Sequence, residues 1–152
     1  MLRPLFLAFT IAASPATACR LPDGAEALAR NALAAINGER QAKNLAPLRQ
    51  DPRLQQAAQS HACDSATRNR MGHDSSDGSD LGQRATRAGY DYREIAENVA
   101  QGYPSPASVT QGWMESPGHR RNILMRKAKD AGLGIAVGRN GDLHWVLNLG
   151  RE

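Results

Sequence analysis

Between Ala25 and Ile36, apolar side chains return at Ala25, Leu28, Ala29, Ala32, Leu33 and Ile36, the spacing of one face of a helix. Asp23-Gly24-Ala25-Glu26 ahead of them has the form of a capping box. A first helix is therefore predicted to run to about Lys43, ending before a turn at Pro47. A second stripe of Leu54, Ala57, Ala58, His61 and Ala62 follows Asp51-Pro52, a cap residue with proline at the first helical position. It puts Cys63 near the middle of the second helix. From Met71 to Ser79 the periodicity stops and Gly, Ser and Asp surround His73, which predicts a loop. Asp80 to Ala88 has the pattern of a short helix closed by Gly89. Ile95 to Gln101 is predicted as a strand. Ser105-Pro106 caps another helix with Val109 and Trp113 on one face, and Pro117-Gly118 ends it.

The β pattern is strongest at the end of the chain. Gly132 to Gly138 and Leu143 to Leu149 flank Arg139-Asn140-Gly141-Asp142, and Asn-Gly is a hairpin turn signal. Helices precede and separate a few strands with no regular alternation of the two. The predicted class is α+β, with helices packed on a small, largely antiparallel sheet. There is no internal repeat and no low-complexity stretch.

Length and composition add three constraints. The first residues combine Arg3, an apolar run from Leu5 to Ala13 and the small residues Ala16-Thr17-Ala18, the plan of a secretory signal. The apolar run is too short for a membrane span. Residues 1–18 are expected to be removed after Ala18, leaving 19–152 as a single domain, secreted or periplasmic and acting as a monomer. Both phenylalanines, Phe6 and Phe9, fall in the removed segment, so the core must rest on Ala, Leu, Ile and Val with Trp113 and Trp145 as its largest pieces.

The formal charge of +4 becomes +3 without Arg3, too small an excess to imply nucleic acid. Arg120, Arg121, Arg126, Lys127 and Lys129 form a local cluster, read as a solvated helix end and loop. Contact with an acidic polymer or an anionic lipid surface is the sharper reading, and a scaffold that binds a protein partner through the 120–129 segment is a third. No aromatic residues are interleaved there to stack on bases.

Cys19 and Cys63 are the only cysteines. In an oxidising compartment one Cys19–Cys63 bridge is available. A competing fate exists for Cys19, which follows the cleavage site as a lipidated cysteine would, although Ala16 stands where a lipoprotein signal usually carries Leu.

Candidate chemistry lies in His73, Glu97, Glu115 and His119, with Ser116 and His61 behind them. Alternation places Glu97 opposite Ala96 and Asn98, which favours a solvent-facing carboxylate. His119 follows a forced break and is expected to be aimed by a turn. Two histidines and a carboxylate from three elements suit either a divalent metal such as zinc or a general acid/base cluster. The chain has no HExxH and no Gly-x-Ser-x-Gly to decide between them. His61, on the apolar stripe, is expected as a core histidine with a satisfied hydrogen bond.

The combination of Ile36-Asn37-Gly38-Glu39-Arg40, Ala46-Pro47-Leu48, His73, Glu97-Asn98, the run from Trp113 to Leu124 and Gly132-Leu133-Gly134 resembles the CAP superfamily in its bacterial form. This superfamily, also called SCP/TAPS, includes cysteine-rich secretory proteins, antigen 5 and pathogenesis-related 1 proteins. The resemblance spans about Ala25 to Gly150, and Trp113 to Leu124 is its most specific part. It implies an α-β-α sandwich with an open cleft that holds two histidines and two glutamates. His73 matches the first histidine, Glu97 the first glutamate and His119 the second histidine. Relatives often carry the second glutamate three residues after the tryptophan, where this chain has Ser116. Glu115 stands one position earlier, about 100° around the helix. Three protein ligands and a water would still complete a tetrahedral metal site. Lipid, sterol and metal binding recur in the superfamily without a shared activity. The expected function is thus an exported binding protein for a small-molecule, lipid or envelope ligand. A hydrolase acting on peptide or cell-wall material is the alternative.

Overall fold

The structure, a computed structural model, describes residues 19–152; the expected signal segment and its cleavage site lie outside the described residues. Five helices and four strands follow in the order α1 (Ala25–Gln41), β1 (Arg49–Gln50), α2 (Pro52–Arg68), α3 (Leu81–Arg87), β2 (Glu94–Gln101), α4 (Pro106–Glu115), α5 (Pro117–Ile123), β3 (Asp130–Val137) and β4 (Leu143–Arg151). The sheet order is β1-β3-β4-β2. β2 and β3 both run antiparallel to β4, and only the two-residue β1 is parallel to its neighbour. The helices α1, α4 and α5 contribute to the core on one face of the sheet, and α2 and α3 to the core on the other. The fold is the expected α-β-α sandwich.

Local chemistry accounts for most element boundaries. Asp51 accepts from the backbone N–H groups of Arg53 at 2.8 Å and Leu54 at 3.3 Å, with Pro52 at the first helical position where no N–H is missed. Asp80 with Gln83, and Ser105 with Ser108, close reciprocal capping boxes on α3 and α4. Two expectations fail at helix ends. Asp23 does not cap α1: Gly24 holds that place in a left-handed conformation (φ 66°) without a side-chain cap, and the helix stops at Gln41 rather than Lys43. Pro117-Gly118 does end α4, but Pro117 is also the first residue of α5. His119 therefore stands on a helix rather than in a turn.

Strand β3 alternates between the two cores. Ala131, Leu133 and Ile135 face the layer containing α1 and α4, while Ala136 packs with Ala58, Ala62 and Ala66 of α2. Gly132 and Gly134 share the α2 face, where a Cβ would collide with the backbone of Leu54–Gln55 and of Ala58–Gln59 respectively. The glycines let the helix lie directly on the strand, and backbone cannot swing aside as a side-chain tip can. Gly134→Ala is expected to cost about 3 kcal/mol, read as a lower urea midpoint at unchanged slope.

Trp113 and Trp145 are fully buried, and each indole N–H finds a carbonyl: Val99 at 3.4 Å and Tyr103 at 2.9 Å. The Cys19–Cys63 bridge is present, with Cα atoms 5.2 Å apart. It ties Cys19 to α2, and Val137 N–H donates to the Arg20 carbonyl at 2.8 Å. Bridged in this way, Cys19 has no thiol left for a lipid. Among the described residues no helix is long and apolar enough to cross a membrane.

Candidate functional site

His73 lies in the segment between α2 and α3, and that segment is held by buried groups. His61, fully buried, lies 2.8 Å from the Gly72 carbonyl through Nε2 and 2.9 Å from Ser75 Oγ through Nδ1. A carbonyl can only accept, so Nε2 carries the proton and Nδ1 accepts from the serine hydroxyl. Asp64 accepts from the Ser76 N–H at 3.0 Å and from its hydroxyl. The Arg84 guanidinium donates to the carbonyls of His73 at 2.9 Å and Ser79 at 2.8 Å, and to Ser75 Oγ at 3.2 Å. His61 is thus the satisfied core histidine expected of it.

Glu97 overturns its own expectation. Its side chain is 2% exposed, because the sheet is covered on both faces and β2 has no solvent face to offer. Oε1 accepts from His73 Nδ1 at 2.9 Å and Oε2 from Arg84 Nη2 at 2.8 Å. With its amide nitrogen turned toward Glu97, Asn148 adds a donor to Oε2 at 3.1 Å. An ionised carboxylate has only lone pairs to give, so Nδ1 of His73 carries a proton. In the neutral ring Nε2 then holds the lone pair. The His73 side chain is 60% exposed. The Glu97 hydrogen bond raises its pKa above the ordinary value, against the opposing effect of partial burial.

His119 is half-buried in the first turn of α5. Its carbonyl accepts from Asn98 Nδ2 at 3.0 Å, and Asn122 Nδ2 reaches both Asn98 Oδ1 at 2.9 Å and the Glu97 carbonyl at 3.2 Å. Asn98 and Asn122 tie α5 to the strand that carries Glu97. Desolvation lowers the His119 pKa, and the charge of His73 lowers it further.

The other two candidates make no hydrogen bond to the His73–Glu97 pair. Glu115 is exposed, accepts from Gln111 at 2.8 Å and lines a groove of about 530 Å³ between α1 and α4 with Glu39 and Lys43. Ser116 links α4 to α5 and its side chain makes no cap hydrogen bond. Neither offers an oxygen to the His73–Glu97 pair.

The same contacts bear on the metal expectation. Both Glu97 oxygens are engaged inside the protein, and no three His, Cys, Asp or Glu side chains among the described residues gather closely enough to hold a metal. His73, Glu97 and His119 do not form a three-donor zinc set. Reasoning from sequence missed Arg84 and Asn148, which complete the carboxylate's surroundings. The basic cluster of Arg120, Arg121, Arg126, Lys127 and Lys129 lies at the surface, with Lys127 paired to Glu94 at 2.9 Å.

Two buried histidines set an acid limit on the fold. Burial lowers the pKa of His61 and of His144 below 6.5. As pH falls the unfolded chain takes up these protons first. Their contribution is complete above about 6.5 and is lost as pH falls through the lower folded-state values. Urea midpoints are expected to drop between pH 7.5 and pH 5, and His61→Gln, which keeps a donor for Gly72, should flatten that drop.

Known proteins share this architecture. Residues 33–149 match the family described as CAP, the cysteine-rich secretory protein family. The uncharacterized protein YkwD of Bacillus subtilis is 30% identical over 131 residues, covering 82% of this chain and 51% of the relative. An extracellular protein containing an SCP domain from Bacillus anthracis superimposes with a TM-score of 0.76 at 26% identity, over 84% of this chain and 41% of the other. An outer surface protein from Borrelia burgdorferi superimposes at 0.72 with 20% identity, over 79% of this chain and 89% of its own, a likeness of fold alone. The chain spans about half the length of the Bacillus subtilis relative.

Proposed function

We propose that this chain, which belongs to the CAP (cysteine-rich secretory protein) family, is an exported binding protein whose ligand contacts His73 in the cleft beside Glu97. Export is supported by the signal-like pattern of residues 1–18, with cleavage after Ala18, and by the disulfide, which belongs to an oxidising compartment. The extracellular Bacillus anthracis relative agrees with it. The rest of the chain, 19–152, acts as one domain.

The observation that carries the binding reading is the buried Glu97 carboxylate, 2.9 Å from His73 Nδ1. It holds an otherwise exposed imidazole in one orientation and leaves Nε2 as the ring nitrogen available to a ligand in the adjoining depression. That depression, about 270 Å³, is lined by Arg68, Arg70, Met71, His73 and Asp74, with Gly72 and Ser75. Arg70 is exposed while Arg68 is paired with Asp64 at 2.6 Å. A small polar ligand with an anionic group, such as the phosphate-bearing unit of an envelope polymer, suits the exposed Arg70 guanidinium and the imidazole, Arg68 being already paired with Asp64.

Glycerol 3-phosphate serves as the probe. Titration into the protein is expected to give saturable shifts of the His73 ring signals that Arg70→Ala abolishes, and calorimetric heats that His73→Ala removes. An unresponsive His73 would sink the reading.

A second reading rests on the same pair. A carboxylate behind an imidazole is also the arrangement of a general base, and a hydrolase on peptide or cell-wall material would use it to activate water, since Ser116 lies apart. Turnover of peptide, ester or peptidoglycan substrates that disappears in Glu97→Gln would favour it. The expected result is no turnover.

A further inference from the structure

The family implies a divalent metal between the cleft histidines and glutamate, and the donor set here is arranged otherwise. Arg84 is 5% exposed and stands against Glu97 Oε2 at 2.8 Å, in one of the directions from which that oxygen could ligate a metal. The same guanidinium holds the His73 carbonyl at 2.9 Å and the Ser79 carbonyl at 2.8 Å. It therefore fixes both partners of the pair: the carboxylate from behind, and the segment that presents the imidazole. The other Glu97 oxygen faces the protonated Nδ1 of His73, and Asn148 joins Arg84 on Oε2 at 3.1 Å, so three of the carboxylate's lone-pair directions are taken by donors. Without Glu97, only His73 Nε2 and His119 remain, fewer than the three or four protein donors of a zinc site.

We infer that Arg84 is the resident cation of this site, a positioning residue that takes the place of a metal at Glu97 and orients His73 for ligand binding without one. A guanidinium suits this post because it stays charged at any physiological pH and its planar fork serves several acceptors at once. An ammonium at the same position would meet the carboxylate but not the full set of carbonyls.

The inference rests on the binding reading only in taking His73 as the ligand contact. Its test reads metal uptake and is indifferent to any organic ligand. Failure of glycerol 3-phosphate to bind would sink that reading and leave this one standing.

Zinc chloride is titrated calorimetrically into the disulfide-bonded, metal-free protein, with histidine ¹⁵N spectra recorded alongside. The wild type is expected to show no one-to-one uptake and no movement of the His73 or His119 ring signals. Arg84→Met, which strips the guanidinium from a buried carboxylate, should gain zinc affinity by at least tenfold with both rings shifting. Arg84→Lys should stay as zinc-blind as the wild type. One equivalent of zinc taken up by the wild type at His73 and His119, and weakened tenfold by Glu97→Gln, would overturn the inference. Equal zinc affinity in the folded Arg84→Met and Arg84→Lys variants would overturn it as well. Should Arg84→Met fail to fold, the wild-type and Arg84→Lys titrations carry the test, since zinc uptake by either contradicts a resident cation.

Discussion

Arg40→Met is expected to remove roughly 4 kcal/mol of stability, the largest loss of any single side-chain truncation considered, because each buried carbonyl left without a donor costs about 1–3 kcal/mol. Arg40 is fully buried. Its guanidinium donates to Ala46 O at 2.9 Å, Ile123 O at 2.7 Å, Met125 O at 3.0 Å and Ala128 O at 3.3 Å. Those carbonyls belong to the turn after α1, the last residue of α5 and the segment leading into β3. The first helix thus supplies the donors that close a helix end 83 residues further along the chain, and the positive charge favours that carbonyl-rich end. Methionine fills much of the volume and supplies none of the donors. Lysine keeps the charge but has a single nitrogen, so Arg40→Lys should recover only part of the loss. Exposed Arg121, on α5 near Ile123, provides the contrast: Arg121→Met should lie within about 0.5 kcal/mol of wild type. Urea denaturation of the three variants at one pH measures the ranking.

Replacing Cys19 and Cys63 together by serine is the second large effect. The bridge joins residues 44 apart in sequence, and the chain-entropy model gives roughly 4 kcal/mol for closing a loop of that length. For a domain of this size such a loss lowers the melting temperature by roughly 12 °C. The structure adds a local consequence. Without the bridge nothing covalent holds Arg20 beside β3, so the Val137 N–H to Arg20 O bond should lose hydrogen-exchange protection before the rest of the sheet does. Reduction of the wild type should reproduce the serine variant. A melting temperature unchanged by reductant would contradict both expectations.

What the sequence made legible, and what it hid, follows from where the information sits. Asp51-Pro52, Ser105-Pro106 and Asn140-Gly141 act on their own neighbours, so α2, α4 and the β3–β4 turn are readable where they occur. Asp23 misleads because Gly24 can adopt a positive φ that starts the helix without a side-chain cap. Pro117 is ambiguous in principle, since the same ring that stops one helix suits the first position of the next.

Glu97 is the most instructive case. Alternation correctly separates it from Ala96 and Asn98, but it cannot report that both faces of the sheet are covered. The partner that makes burial tolerable, Arg84, is 13 residues away on a different element, with nothing in its own surroundings to mark it. The family motif indicated the fold. The internal Glu97–Arg84 ion pair emerged only from the three-dimensional arrangement.

The central claim is that Glu97, buried and balanced by Arg84, fixes His73 with Nδ1 protonated and Nε2 free for a ligand. Long-range ¹H–¹⁵N spectra of the histidine rings, recorded above the His73 titration, read that state directly. Wild type is expected to show His73 as the Nδ1–H tautomer, and Glu97→Gln should shift it toward the Nε2–H form that predominates in free imidazole side chains. A wild-type His73 already in the Nε2–H form, unchanged by Glu97→Gln, would contradict the account.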